Sequence, residues 1–326
     1  MSKPVEGYVL HAYGNEKYLH HVVASVMTIR RYDANRPVAL YCTPEHQAVL
    51  AKHGLDTLFA HIETLPEGHR SIVGVKHHLH RFMPFERSLW VDSDMIWCRD
   101  PDPLWQQLGA FPFIATGLHR ADFYFGGPKG FGVMRDFLLN RRDRTLHRFG
   151  LTHFPRVQAG MIYSRDSELT ETVCRTAAEF LSRRPETHFR SRLDEGRSEE
   201  TCEWSLAMAM SHLQLHVFSW RQGYNSPQLD FIEGFSQYDP DFEHVTCRYF
   251  TDAFVHSLRG LPNVRVRDGL IRLFSCIPGR GDYKNVVPFV LHFGWLNHKR
   301  PFNEYAERTW KRLTQSTTES LIEEKA

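Results

Sequence analysis

Gly7-Tyr8-Val9-Leu10-His11-Ala12 is a short apolar run, and Tyr18, Leu19, Val22, Val23, Val26 and Met27 follow it at helical spacing up to Arg30 and Arg31. This order predicts a strand, a loop and an amphipathic helix that covers the strand. The pattern then repeats. Pro37-Val38-Ala39-Leu40-Tyr41-Cys42 predicts a second strand, and Thr43-Pro44-Glu45 supplies an N-cap, a proline at the first helical position and an acidic first turn. Gly54 is placed to stop that helix. A third strand is predicted near Thr57 to Ile62, a helical stretch near Val75 to Phe82, and a fourth strand at Ser88 to Val91. Strands and helices alternating at this length predict an α/β fold whose sheet is covered on both faces. In such sheets ligands sit beyond the carboxyl ends of the strands, where the Asn15 to Tyr18 loop and the residues after Val91 fall.

The second half is less regular. Phe113 to Gly117 and Gln158 to Tyr163 predict strands, Leu169, Val173, Ala177, Phe180 and Leu181 mark an amphipathic helix, and another is predicted over Glu203 to Leu213. Ser219 to Asp282 is rich in turn residues, which predicts loops and small strands that shape an acceptor pocket. An apolar run from Val286 to Leu291 leads to His292-Phe293-Gly294. A last helix is predicted from about Asn303, with Tyr305, Ala306, Trp310 and Leu313 on one face, and the polar end from Gln315 to Ala326 is expected to fray. Without repeats or a clear linker, one continuous domain over residues 1–314 is expected.

Composition narrows the function class. The chain has 326 residues, of which 42% are apolar, enough for a substantial core. With 40 basic against 38 acidic residues, no overall field points to nucleic acid or an anionic membrane. Six cysteines without a C-x-x-C pair argue against a zinc module or redox motif and predict reduced thiols in a cytoplasmic protein. The first apolar stretch is too short for a secretory signal, and no run approaches a membrane span.

Asp-x-Asp occurs at Asp92-Ser93-Asp94, Asp100-Pro101-Asp102 and Asp239-Pro240-Asp241. The two with a central proline predict turns. The first closes the apolar run Leu89-Trp90-Val91 and precedes Met95-Ile96-Trp97. Strand alternation predicts Asp92 and Asp94 on one side and Ser93 on the other. Two carboxylates where a buried strand meets water suit a hard divalent cation, with positions left for diphosphate oxygens. The bland alternative is a pair of solvated acids.

The order of motifs resembles the metal-dependent GT-A glycosyltransferases, particularly the retaining group that includes glycogenin and bacterial lipopolysaccharide galactosyl- and glucosyltransferases. Phe85 through Ile96 looks like that family's strand with its metal-binding Asp-x-Asp, and Val157-Gln158-Ala159-Gly160-Met161-Ile162 is similar to its Asn-x-Gly strand near the donor sugar. His292-Phe293-Gly294, followed by Lys299-Arg300-Pro301-Phe302, resembles its late His-x-x-Gly-x-x-Lys-Pro element.

The resemblance implies a Rossmann-like, mixed but mostly parallel sheet, with a nucleotide-binding half over about 1–110 and an acceptor-side half over about 111–314. It implies a hexosyltransferase that uses Mn²⁺ or Mg²⁺ and a nucleotide-sugar donor, by resemblance UDP-sugar, with retention of configuration. The acceptor would be a saccharide or other hydroxyl, on glycan or protein, and no nucleic acid. Asp92, Asp94 and His292 would be the metal ligands. Ala12, Tyr13, Tyr18, Lys76, Ser93, Gly294 and Lys299 or Arg300 would contact the donor, and Gln158 and Glu203 would lie near the anomeric centre.

Chemistry supports these residue types independently. A glycosyl donor breaks its anomeric C–O bond through an oxocarbenium-like state while negative charge grows on the diphosphate, and a metal ion and a lysine answer that charge. Each residue has a plainer alternative: Lys76 as a surface lysine, Gln158 as a strand cap, Glu203 as a helix first-turn acid. Three departures from the family stand out. Ala12-Tyr13-Gly14-Asn15 lacks an aspartate, Gly294 follows His292 by two residues rather than three, and Gln158 replaces Asn. His77-His78-Leu79-His80 is expected to be a solvated or ring-stacking patch, since neighbours on a helix diverge and no cysteine joins them. Two other classes compete: an Asp-nucleophile phosphatase, which wants its motif at the first strand, and a non-catalytic sugar-nucleotide or glycan-binding module on a transferase fold.

Overall fold

A computed structural model describes residues 6–122, 125–127, 131–220, 222–258, 261, 263–294 and 298–323, without the side chains of residues 253, 256, 257 and 316–323. Along the chain come β1 (Glu6–Ala12), α1 (Lys17–Tyr32), β2 (Val38–Cys42), α2 (Pro44–Lys52), β3 (His61–Thr64), α3 (Ile72–Lys76), β4 (Arg87–Val91) and β5 (Met95–Trp97). Then follow α4 (Asp102–Leu108), β6 (Phe113–Leu118), α5 (Phe131–Leu138), α6 (Arg141–Arg148), β7 (Arg156–Ser164), α7 (Ser167–Ser182) and α8 (Glu203–His212). The remainder holds β8 (Val217–Ser219), β9 (Gln228–Asp230), β10 (Ser236–Tyr238), β11 (Val245–Phe250), α9 (Ala253–Leu258), α10 (Val264–Ser275), β12 (Tyr283–Val286), β13 (Val290–His292) and α11 (Arg300–Glu323). Contacts group these into two compact units: residues 1–19, 35–93 and 105–219, and residues 20–34, 94–104 and 220–326.

The first unit is built on a seven-stranded sheet of order β3-β2-β1-β4-β7-β6-β8. Its β3, β2, β1 and β4 run parallel, β7 pairs antiparallel with β4 and β6, and β8 is parallel to β6, so the sheet is mixed and mostly parallel. Its core joins Val9, Trp90 and Ile162 of the sheet to Val173 and Ala177 of α7 and to Trp204 and Leu206 through Met210 of α8. The eight residues Trp204 to Ser211 are all buried, as expected for a helix that is mostly apolar around its circumference.

The second unit carries two three-stranded sheets, β5-β13-β9 and β10-β11-β12. β13 is antiparallel to β5 and parallel to β9, which makes His292 the register partner of both Met95 and Asp230. Leu291 and Phe293 enter an aromatic core, where Phe293 stacks on Phe231 at 4.7 Å and on Phe302 at 5.2 Å. With side chains alternating, His292 faces the other way.

Several elements depart from the sequence pattern for local reasons. The third strand begins at His61, because Asp56 to Leu58 close a 3₁₀ turn first. The helical stretch after it starts earlier, at Ile72, where the Ser71 hydroxyl accepts from the Gly74 amide, and it breaks at Lys76 before a 3₁₀ turn at Leu79 to Arg81. The apolar run from Val286 splits into β12 and β13 around Pro288, which has no N–H to give a ladder. α9 and α10 occupy a stretch expected to be loops and strands, with Asn263 capping α10 by accepting from the Val266 amide. α11 starts at Arg300 and its backbone stays helical to Glu323, through most of the segment expected to fray; residues 324–326 lie outside the described set. Asp239-Pro240-Asp241 is a turn in which Asp239 accepts from the Asp241 amide, whereas Asp100-Pro101-Asp102 leads into the start of α4, with Asp100 accepting from the Asp102 amide. All six cysteines are free thiols, five of them buried. Among the described residues no helix is long and apolar enough to cross a membrane.

Candidate active site

β4 ends at Val91 and β5 starts at Met95, so Asp92-Ser93-Asp94 is a turn between strands. Strand alternation therefore does not orient the two acids. The Asp92 amide instead donates to Gly160 O at 2.8 Å, and Asp94 O accepts from the Phe293 amide at 3.0 Å.

In the first unit, Lys76 closes α3 and is buried, contrary to its surface alternative. Its ammonium donates to Asp92 Oδ1 and to Ala159 O, each at 2.8 Å. Burial opposes that charge, yet the Asp92 carboxylate and its hydrogen bond, with Cys202 and Glu203 nearby, raise the lysine above its usual range. Glu203 opens α8 half-buried; burial pushes its carboxyl up, with Lys76 and Arg156 opposing. Gln158 Oε1 accepts from the Gly160 amide at 2.8 Å, a bond within β7 and not at its end.

Ala12 is buried at the end of β1, and beyond it Trp90, His11 and Tyr13 form a ladder of rings at 4.9 and 5.6 Å. The Tyr13 hydroxyl donates to Glu199 Oε2 at 2.9 Å, and the same oxygen accepts from the Ile72 amide at 2.7 Å. Burial first, and Glu199 second, hold Tyr13 far above the ordinary phenol range. Tyr18 is exposed at the start of α1, with the Lys17 ammonium 5.1 Å from its ring centre.

In the second unit, Asp94 is the centre of a charged cluster. Lys299 Nζ donates to its Oδ2 at 2.7 Å, and His292 Nε2 lies 3.6 Å from its Oδ1. Burial pushes the Asp94 carboxyl up, but His292 and Lys299 outweigh it and hold the group well below the usual range. His292 is buried, and its Nδ1 lies 2.8 Å from Asp230 Oδ1. A Cβ on Gly294 would lie 2.4 Å from the His292 Cε1, so the glycine keeps the chain clear of the imidazole. Arg300 points outward and donates to Glu304 at 2.8 Å, which leaves Lys299 as the cation against Asp94.

Asp94 and His292 of the second unit face one another, with Nε2 3.6 Å from Oδ1, and Asp92 precedes Asp94 by two residues in the chain. This donor set of two carboxylates and an imidazole fits Mn²⁺ or Mg²⁺ better than a thiolate-bound metal. The Asp230 carboxylate accepts from Nδ1, so once the imidazole is neutral its lone pair is on Nε2, the second-sphere arrangement of a ligating histidine. Sequence reasoning missed Asp230 and Glu199, since each is an isolated acid whose partner is distant in the chain. The histidine patch divides: His77 is buried with its Nε2 3.0 Å from Ser205 Oγ, while His78 makes ring contacts with His69 and His80.

No family model matches the chain, and no curated protein matches it. Among solved structures, the chain is similar to the galactosyltransferase LgtC in complex with donor and acceptor sugar analogues, at 12% identity and a TM-score of 0.50, over 96% of each chain. It is also similar to an active-site mutant of LgtC, at 11% identity and a TM-score of 0.50, over 93% of this chain and 96% of that one. The likeness is one of fold: the mixed, mostly parallel sheet flanked by helices is that of GT-A glycosyltransferases, as the motif order implied.

Proposed function

We propose that the chain is a metal-dependent glycosyltransferase that moves a sugar from a nucleoside diphosphate donor, UDP-sugar, to a hydroxyl acceptor with retention of configuration. The observation that carries this reading is the pairing of His292 with Asp94 at the end of the Asp92-Ser93-Asp94 turn, with Asp230 behind the imidazole and Lys299 on the other carboxylate oxygen. A divalent ion, Mn²⁺ or Mg²⁺, would be held by Asp92, Asp94 and His292 and would supply Lewis-acid stabilisation to the departing diphosphate.

The chain's own groups do the rest. Lys299 stands beside Asp94 and supplies a donor to the phosphate oxygens as their charge grows. Lys76 neutralises Asp92 on its buried side and fixes the carboxylate. Tyr13 offers its ring to the base from the end of the Trp90–His11 stack. Glu203 and Gln158 serve the sugar near the anomeric centre, and Ser93 lines the turn between the two acids. The motif follows the fourth strand of the chain, which suits this reading and not the first-strand placement of an Asp-nucleophile phosphatase.

The test is nucleotide release by the purified full chain across a panel of UDP-sugars, with and without Mn²⁺. Metal-dependent UDP release that Asp94→Asn abolishes, with thermal unfolding nearly unchanged, is the expected result. A folded protein that releases no nucleotide from any donor overturns the proposal.

A further inference from the structure

α5 packs inward through Val133 and Asp136, yet its opposite side is also apolar. Phe131 is 95% exposed, Leu138 74%, Met134 57% and Phe137 55%, and Leu139 continues the ridge at 42%. At about 100° per residue, Phe131, Met134, Phe137 and Leu138 fall on one arc of the helix, with Arg135 at its edge. Helices that lie only against water do not carry such a ridge. α6 follows directly and is basic, with Arg141, Arg142, Arg144 and Arg148 against Asp143 in its own sequence, although Arg141 lies 3.4 Å from Asp136 of α5. Of these, Arg142 is buried on Ala121 O and Arg148 donates to Glu186 O, whereas Arg135 and Arg144 are exposed.

We infer that α5 and α6 form a docking surface for an anionic phospholipid bilayer, with the α5 ridge dipping into the interface and the arginines meeting the headgroups. Three features select this occupant. A helix presents a convex ridge, which needs a soft apolar medium to receive it. The flanking charge is positive on a chain whose net charge is only +2, so the attraction is local to this face. A second copy of the same face would set arginine against arginine, which disfavours self-pairing. Apolar ridge with adjacent arginines is the chemistry of an amphipathic helix lying in a membrane surface. The inference stands whether or not the proposed transferase activity does.

The test is co-sedimentation of the full chain with vesicles of phosphatidylcholine alone and with about one third phosphatidylglycerol. Binding to the anionic vesicles only, weakened by high salt, is expected. F131S/L138S, at two outward positions, should lower the partition coefficient about tenfold or more, and R135E/R144E should lower it by about fivefold per charge. Circular dichroism and thermal unfolding of both variants confirm that they fold. Absence of binding to anionic vesicles at low salt, or F131S/L138S binding like the parent, overturns the inference. So does a dimer in sedimentation velocity that F131S/L138S dissociates, because the ridge would then be covered by a second copy.

Discussion

His292 and Asp230 are register partners on two parallel strands, and the carboxylate holds the imidazole through Nδ1 at 2.8 Å. That bond sets the ring rotation and, in the neutral imidazole, the tautomer, so that Nε2 is the atom on the side of Asp94 that can hold a metal. Asp230→Asn keeps the shape and removes the charge, and it should weaken Mn²⁺ binding by about 10-fold to 100-fold. Isothermal titration of the two proteins decides the matter; equal affinity would remove Asp230 from the support of the site.

Gly294 tests the same imidazole from the other side. A methyl group there would stand 2.4 Å from Cε1 and 3.0 Å from Nε2, while the ring is buried and tethered to Asp230. Gly294→Ala should displace the ring, destabilise the fold by about 1–3 kcal/mol, and cost at least about tenfold in Mn²⁺ affinity. Gly68→Ala is the control, because nothing lies within 4 Å of its added methyl. Matched metal affinity in the two variants would mean that Gly294 does not set the imidazole.

What was legible in the sequence divides along local and non-local lines. β1, β2, β4, β6 and β7, with α1, α2, α7 and α8, are readable because their apolar periodicity is unbroken and, at Thr43-Pro44, a cap marks the start. α10 is hidden because Val264 and Val266 alternate with arginines like a strand and Gly269 interrupts the helical pattern. In the site, Asp92, Asp94 and His292 stand out through motif order, but Asp230 lies between Leu229 and Phe231 with nothing to mark it until β9 pairs with β13. Lys76 was open to a surface reading for the same reason: its two acceptors come from elsewhere in the chain. Conversely, the strand alternation used to orient Asp92 and Asp94 does not operate, because the chain turns there.

Neighbouring cations Lys299 and Arg300 should behave oppositely. Lys299 reaches Asp94, while the Arg300 side chain is 87% exposed and paired along its own helix with Glu304. Lys299→Met should reduce turnover about 100-fold or more if it carries a donor to the leaving phosphate, whereas Arg300→Ala should leave turnover and melting temperature unchanged. Lys76→Met should act on folding as well as turnover, with a folding cost of about 2–4 kcal/mol, since it leaves Asp92 and the Ala159 carbonyl without their donor in a largely buried setting. Urea unfolding and steady-state kinetics on the three variants separate these roles; a loss of turnover in Arg300→Ala equal to that in Lys299→Met would reverse the assignment.

Acid should destabilise the protein through His77. Burial holds its imidazole down to about 4, against an ordinary value of 6.5, while Nε2 keeps company with Ser205. Above pH 6.5 neither state binds the proton and the native advantage is complete. Between 6.5 and about 4 the unfolded chain takes up a proton that the folded one refuses, so stability falls, by up to about 3 kcal/mol at the lower end. Below about 4 both states are protonated and this loss saturates. His188, half-buried against Thr145 and also pushed down to about 4, titrates in the same window. His77→Asn should therefore flatten the slope of unfolding free energy against pH by up to one proton without abolishing it. Urea unfolding at intervals from pH 4 to 7 measures that slope, and an identical slope in the variant would place the acid sensitivity elsewhere.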